Sequence, residues 1–332
     1  MVDAAGHQSL HSPPVTQNTA LRNAVVFVHI HRTAGTTLRS LSDRQYRPEH
    51  IASVDWDTLE AFTRLPLEAR ARVRLLRGHM PFGMAEHLPG PSTYITLLRE
   101  PLDRSVSHYY WIRERPRHAL NAGAVSGDLV RYLESGVAAD LDNGQVRLLS
   151  EAAYVPFGEV TEAHLDQAIR NLDERFALAG LVERFDESLI LLRDALGWSK
   201  ALYYTRQNET RSRPRRALAI GNGHAIGNGN GHANGNGNAN GNGNGLAHAK
   251  PSGHGLDART AAALRAHNRF DLELYAYAAD RFARRVAAGG EPFAREVSAF
   301  TRTNRVLNAV YPLIGPPRLA ARALARRVQP RR

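Results

Sequence analysis

In VVFVHIHRTAGTTLRSL, residues 25–41, an apolar β-branched run stops at a polar loop with one glycine and two threonines. These residue types suit an oxyanion. Arg32 offers a charged fork, Thr36 and Thr37 offer hydroxyl donors, and Gly35 lets a backbone approach an anion closely. Thr33 and Ala34 complete the loop with main-chain amides. The competing reading of this loop alone is an ordinary turn with a threonine cap. A second set lies in STYITLLREPLDRSVSHYYWIRERP, which begins at Ser92 and carries Arg99 and Ser107 eight residues apart. A guanidinium at a strand end and a hydroxyl inside the next helix can converge on a second phosphate. The competing reading pairs Arg99 with Glu100 or Asp103 and packs Ser107 in the helix.

The elements that must position these groups are legible. Residues 23–30 read as a buried parallel strand, and Thr36 onward as a helix. A strand, a tight loop and a helix start make an anion site, because amides converge there and the helix dipole adds positive potential. Residues 94–98 read as another buried strand, with Arg99 at its carboxyl edge and Pro101 suited to the first helical turn. The first loop is not a Walker A loop, which needs Lys immediately before the hydroxyl residue; here Gly35 stands there. That disfavours a kinase or ATPase.

Around these motifs the chain divides by composition. Residues 1–20 read as disordered, and 21–216 alternate apolar and amphipathic runs as α/β proteins do. Residues 217–253 hold a Gly/Asn-rich tract that cannot supply a core, so a flexible insert is expected there. Helical periodicity returns at 256–287, so 21–216 and 254–300 are expected to form one domain. The formal charge of +11 suggests nucleic acid until it is located: residues 301–332 hold eight arginines and no acid. The excess is mostly a property of this tail, so no nucleic-acid partner is expected. The tail's mixture of apolar and Arg positions fits weak contact with an anionic membrane surface, a partner, or packing on its own domain. With no cysteine, no apolar run near 20 residues and a polar N-terminus, a soluble cytoplasmic protein is expected.

Taken together, the two motifs resemble the sulfotransferases that use 3′-phosphoadenosine 5′-phosphosulfate (PAPS). HIHRTAGTTL is similar to the HIPKTAGTTL loop of the carbohydrate-type, or family 2, members, and TLLREPLDRSVSHYY to their 3′-phosphate motif. Further similarity lies in RGHMPFG (77–83), DNGQVRLLS (142–150), GLVERFDESLILL (180–192) and DLELYAYAADRF (271–282). The resemblance implies a P-loop-like three-layer α/β fold with a central parallel sheet flanked by helices. It implies PAPS as donor and 3′-phosphoadenosine 5′-phosphate (PAP) as product, held by Arg32, Thr33, Ala34, Gly35, Thr36, Thr37, Arg99 and Ser107. It also implies an acceptor hydroxyl on a carbohydrate, glycoconjugate or small metabolite. Where the resembling loop carries Pro-Lys, this chain has His31-Arg32. The Lys stabilises charge on the leaving oxygen, and Arg32 would take that role as a longer, planar cation. A nucleotide-binding regulatory or scaffold protein that has lost turnover is the alternative.

Sulfuryl transfer also needs a base for the acceptor proton. His79 follows the strand-like VRLLRG at a strand's carboxyl edge, in a Gly-His segment similar to one that carries the family's catalytic His, and is the expected general base. His87 and His108 are weaker candidates and Glu86 weaker still. His29 reads as structural, inside the first strand, and His31 takes the family's Pro place. No strong metal motif is present, and no metal is expected. QNETRSRP (207–214) resembles a loop near the family's cofactor or acceptor side, which implies that Arg211 or Arg213 could contact an anionic acceptor; a solvated basic loop is the competing reading.

Overall fold

The computed structural model describes residues 23–205 and 256–314; the 1–20 segment, the 217–253 insert, Arg211, Arg213 and the end of the basic tail lie outside the described residues. Strand β1 (Ala24–Val28) reads AVVFV and is buried at every position. Successive strand side chains point to opposite faces, so complete burial means that both faces are covered. The other strands are β2 (Ile51–Ser53), β3 (Leu75–Gly78), β4 (Ser92–Leu98) and β5 (Phe176–Leu181). They form one sheet in the order β2-β3-β1-β4-β5, and every pairing is parallel. This is the α/β class expected from the alternating pattern, in the three-layer, P-loop-like arrangement that the resemblance implied.

The order fixes where a ligand can sit. From β1 the chain crosses to β2 and β3 on one side, and β4 and β5 lie on the other. The carboxyl ends of β1 and β4 therefore flank the switch point, where open parallel sheets leave a crevice. β1 and β4 are direct neighbours, with Val28 opposite Thr96. Both anion motifs leave the sheet at that crevice.

Helix α1 (Gly35–Gln45) follows β1, and α2 (Pro101–Arg113) follows β4 with Pro at its first turn. Then come α3 (Gly144–Leu149), α4 (Glu162–Glu174), α5 (Phe185–Leu196), α6 (Ala258–His267) and α7 (Arg269–Ile314). Phe27, Leu38, Leu75, Ile95, Leu189 and Leu274 belong to the main core. A second cluster packs Leu102, Val106, Tyr109 and Ile112 of α2 against Tyr132, Leu141 and Leu264. That packing rigidifies the helix that carries Ser107.

Two boundaries differ from the sequence expectation. β1 ends at Val28, so His29 and Ile30 belong to the loop. α7, kinked at Gly290 (φ 57°), runs past residue 300 to Ile314. Thr301 donates to Asp186 (2.6 Å), Asn304 accepts from the Tyr204 amide (2.9 Å), and Asn308 donates to the Tyr204 carbonyl (2.7 Å). These polar residues recur at helical spacing, so the helix continues to pack where the charge count alone drew a tail. Among the described residues, no helix is long and apolar enough to cross a membrane.

Candidate active site

The loop after β1 takes an unusual path. Arg32 (φ 68°) and Ala34 (φ 58°) are both left-handed, a conformation that costs a non-glycine residue about 1–3 kcal/mol. Such turns gather main-chain N–H groups into a concavity that suits an anion. Ala34 precedes α1, and its side chain cannot cap the helix. Thr33 is fully buried and donates to the Ile30 carbonyl (2.8 Å), so its hydroxyl shapes the loop instead of facing a ligand. Thr37 is buried too, whereas Thr36 is partly exposed. Gly35 is required for a reason other than ligand approach: a Cβ there would come within 1.9 Å of the His29 ring.

Arg99 and Ser107 meet this loop. Arg99 donates from Nη1 to the Arg32 carbonyl (3.1 Å), and Arg32 donates from Nε to Ser107 Oγ (3.1 Å). The Arg32 guanidinium also lies 5.8 Å from the centroid of the Trp111 ring. Arg32, Arg99 and Ser107 thus converge as two cations and a hydroxyl, a donor set that fits a phosphate. Arg32 leans along α2 toward Ser107.

Sequence reasoning left the support of this edge unassigned. Gln145, fully buried, accepts from the Arg99 amide (3.0 Å) and donates to the Arg99 carbonyl (2.9 Å). Asp271 at the start of α7 accepts from the Gln145 and Val146 amides (3.0 and 2.8 Å) and lies 3.6 Å from Arg104. Asn143 accepts from the Phe270 and Asp271 amides (2.9 and 3.2 Å). Helices α3 and α7 therefore cap each other across more than 120 residues of sequence.

His79 stands at the carboxyl end of β3. Its main-chain N–H donates to Asp55 Oδ1 (2.9 Å), and its Nδ1 lies 2.6 Å from the His29 carbonyl. A carbonyl can only accept, so Nδ1 carries the proton and Nε2 keeps its lone pair. Gly78 allows the turn: its φ is 151°, and a Cβ would strike the Val54 carbonyl at 1.7 Å. Burial, then the neighbouring His31, push the His79 pKa down to about 4, against the opposing pull of Asp55. His79 is therefore a neutral acceptor at pH 7.

Three more imidazoles cluster here, two of them against His79. His79 stacks on His29 (centroids 4.2 Å apart) and on His31 (3.8 Å), and His31 meets His108 edge-on at 5.8 Å. Asp140 Oδ2 lies 2.8 Å from His31 Nδ1 and 3.9 Å from His108 Nδ1. Burial alone would raise the Asp140 pKa, but His31, then His108 and Arg104, hold it well below the usual carboxylate range. His108 is buried, neither ring nitrogen has a hydrogen-bond partner among the described residues, and burial pushes its pKa down to about 3. Glu86 and His87 sit on the turn Met84–His87, and neither is stacked on or bonded to these rings.

Buried neutral imidazoles have a consequence for stability. His79 and His108 bind protons near pH 6.5 when unfolded but only near pH 4 and pH 3 when folded. The unfolded state thus takes up more protons as pH falls, and stability is lost from about pH 6.5 downward. Thermal unfolding followed by circular dichroism is expected to show a melting temperature that falls between pH 6.5 and 4. The fall should be smaller in His108→Phe.

Residues 3–226 match the family model described as galactose-3-O-sulfotransferase, which is most of the chain. The chain belongs to the galactose-3-O-sulfotransferase family. Among curated relatives, galactose-3-O-sulfotransferase 3 of Mus musculus is 27% identical over 218 residues, covering 57% of this chain and 48% of the relative. Galactosylceramide sulfotransferase of Homo sapiens is 27% identical over 215 residues, covering 58% and 50%. The chain spans about half the length of the curated relatives it matches. A solved structure, mouse sulfotransferase SULT7A1 complexed with PAP, aligns at a TM-score of 0.33 with 14% identity, covering 54% of this chain and 61% of that one.

Within the galactose-3-O-sulfotransferase family match lie Arg32, His79, Arg99, Ser107, Asp140 and Gln145. Asp271 lies beyond it. Its segment, DLELYAYAADRF, was marked by resemblance, but nothing in that segment's own pattern announces a carboxylate that caps a helix elsewhere in the chain.

Proposed function

We propose that this chain moves a sulfuryl group from PAPS to a hydroxyl of a galactose-bearing carbohydrate or glycolipid. The observation that carries the donor assignment is the convergence of Arg32, Arg99 and Ser107 beside the left-handed loop, at the switch point of the sheet. The donor would be held by that loop and α1's first turn at one phosphate, and by Arg99 and Ser107 at the other. When bound, PAPS supplies the activated sulfuryl group. Membership in the galactose-3-O-sulfotransferase family and the two named relatives support a galactose-containing acceptor.

The chain's residues divide the remaining work. His79 Nε2 accepts the proton of the acceptor hydroxyl, with its ring fixed through Nδ1. Arg32 and the loop amides stabilise negative charge as it grows on the leaving phosphate, which requires Arg32 to exchange Ser107 for that oxygen. Gln145 keeps Arg99's main chain in register with both.

PAP titrated into the chain by calorimetry, without added metal, is expected to bind. Arg99→Ala should weaken that binding by about 1.5–3 kcal/mol, the scale of a lost charged hydrogen bond. Unchanged affinity in a folded Arg99→Ala protein would sink the phosphate assignment. Labelled PAPS with lactose or a galactolipid then reads transfer. Binding of PAP with no transfer to any galactoside would favour the non-catalytic alternative.

A further inference from the structure

His31, His108 and Asp140 have no task in the reaction as described, yet His31 stacks on His79, and His108 and Asp140 adjoin His31. His29 and His31 each stack on the His79 ring at about 4 Å, and two rings cannot share one face at that spacing, so His79 is sandwiched. The His31 plane is 8° from that of His79, against 27° for His29. Asp140 Oδ2 stands 2.8 Å from His31 Nδ1. The turn that carries Asp140 is itself held, because buried Arg104 donates to the Asp140 carbonyl at 2.5 Å.

We propose that the Asp140–His31 pair is a positioning device for His79: it closes the sandwich and fixes the ring plane of the base. This rests on the reading of His79 as base. The charged and titratable groups around the sandwich can be named element by element. His29 and His31 come from the loop after β1, Asp55 from the segment after β2, and Asp140 from the turn Ala139–Leu141. His108 of α2 faces His31 and Asp140, with Arg32 and Arg104 acting on it. Arg39 and Arg77 act on His29. The two carboxylates favour a charged His79, whereas burial and His31 disfavour it and prevail. Removing the His31 imidazole must therefore raise the His79 titration midpoint.

The test uses the full chain with ¹³C-labelled histidine, and the His79 resonance is assigned by its loss in His79→Gln. In both His31→Ala and His31→Phe the His79 midpoint is expected to move up by roughly half a pH unit or more. The acid limb of kcat/KM should move with it. His31→Ala also opens one side of the sandwich and should lower kcat about tenfold with little change in the KM for PAPS, since misplacement of a reacting group is costly. His31→Phe restores a flat ring and should recover part of that kcat. Asp140→Asn, which leaves His31 in place but unheld, should lower kcat in the same direction. Unmoved His79 midpoints in folded His31 variants would overturn the proposal even if His79→Ala is inactive. Moved midpoints with full turnover in His79→Ala would overturn the base reading, and the positioning role with it.

Discussion

His79→Ala is expected to lower turnover by roughly 10²–10⁴ while PAP affinity stays near that of the parent chain. An acceptor hydroxyl is a weak acid, so the loss of a positioned base falls on the chemical step. Arg32, Arg99 and Ser107, the groups proposed to hold PAP, are bonded to one another and not to His79, so the two effects separate. His79→Gln should not rescue turnover, because an amide can fill the space and accept a hydrogen bond but cannot take the proton at neutral pH. In the free chain His79 titrates at about 4, which makes it a weak base before the donor arrives. A bound polyanion nearby favours the imidazolium and raises that value. The His79 resonance is accordingly expected to titrate at higher pH with PAP bound. Near-normal rates in both variants, measured where chemistry limits, would move the role elsewhere. Of the other candidates, only His108 lies in the same cluster, and its two nitrogens, unpartnered among the described residues, would then make it the first to substitute.

What was legible in the sequence follows from the range over which each signal acts. Strands announced themselves because burial on both faces demands continuous apolar runs, as in AVVFV and YITLL. Arg99, Ser107 and His79 could be placed because strand ends and the helix after Pro101 are local features, and one topology brings all carboxyl ends to one edge. The conformation of the first loop was not legible. Gly35 is the residue that tolerates a left-handed turn best, yet Arg32 and Ala34 adopt it, while the His29 ring claims the space where a side chain at position 35 would go. The imidazole cluster was not legible either. His29, His31, His79, His108 and Asp140 come from four separate segments, and only the β1–β3–β4 neighbourhood stacks them. Gln145 and Asp271 were missed for a related reason. Each satisfies main-chain groups far away in the chain, a task that leaves no periodicity around the residue that performs it.

Asp271→Ala is expected to destabilise the chain by about 3–5 kcal/mol, the cost of breaking a buried ion pair by removing one partner. Asp271 and Arg104 are both fully buried. Burial pushes the Asp271 carboxyl up, and Arg104 with the Val146 and Gln145 amides pulls it back. Without the carboxylate, Arg104 keeps only its bond to the Asp140 carbonyl, and two amides in the first turn of α3 lose their acceptor. Neither loss can be repaired by water at a site with no exposure. Asp271→Asn keeps an acceptor oxygen and removes the charge, so it should fall between the parent and the alanine variant. Urea unfolding measures both, and the asparagine variant keeps the comparison available if the alanine variant does not fold. The damage should also reach the donor site. Gln145, whose amide Asp271 holds, brackets Arg99's main chain, so PAP affinity should weaken in Asp271→Asn although residue 271 touches none of Arg32, Arg99 or Ser107. A loss of under about 1 kcal/mol in Asp271→Ala would show that the α3–α7 junction is held by its apolar contacts and not by the reciprocal caps.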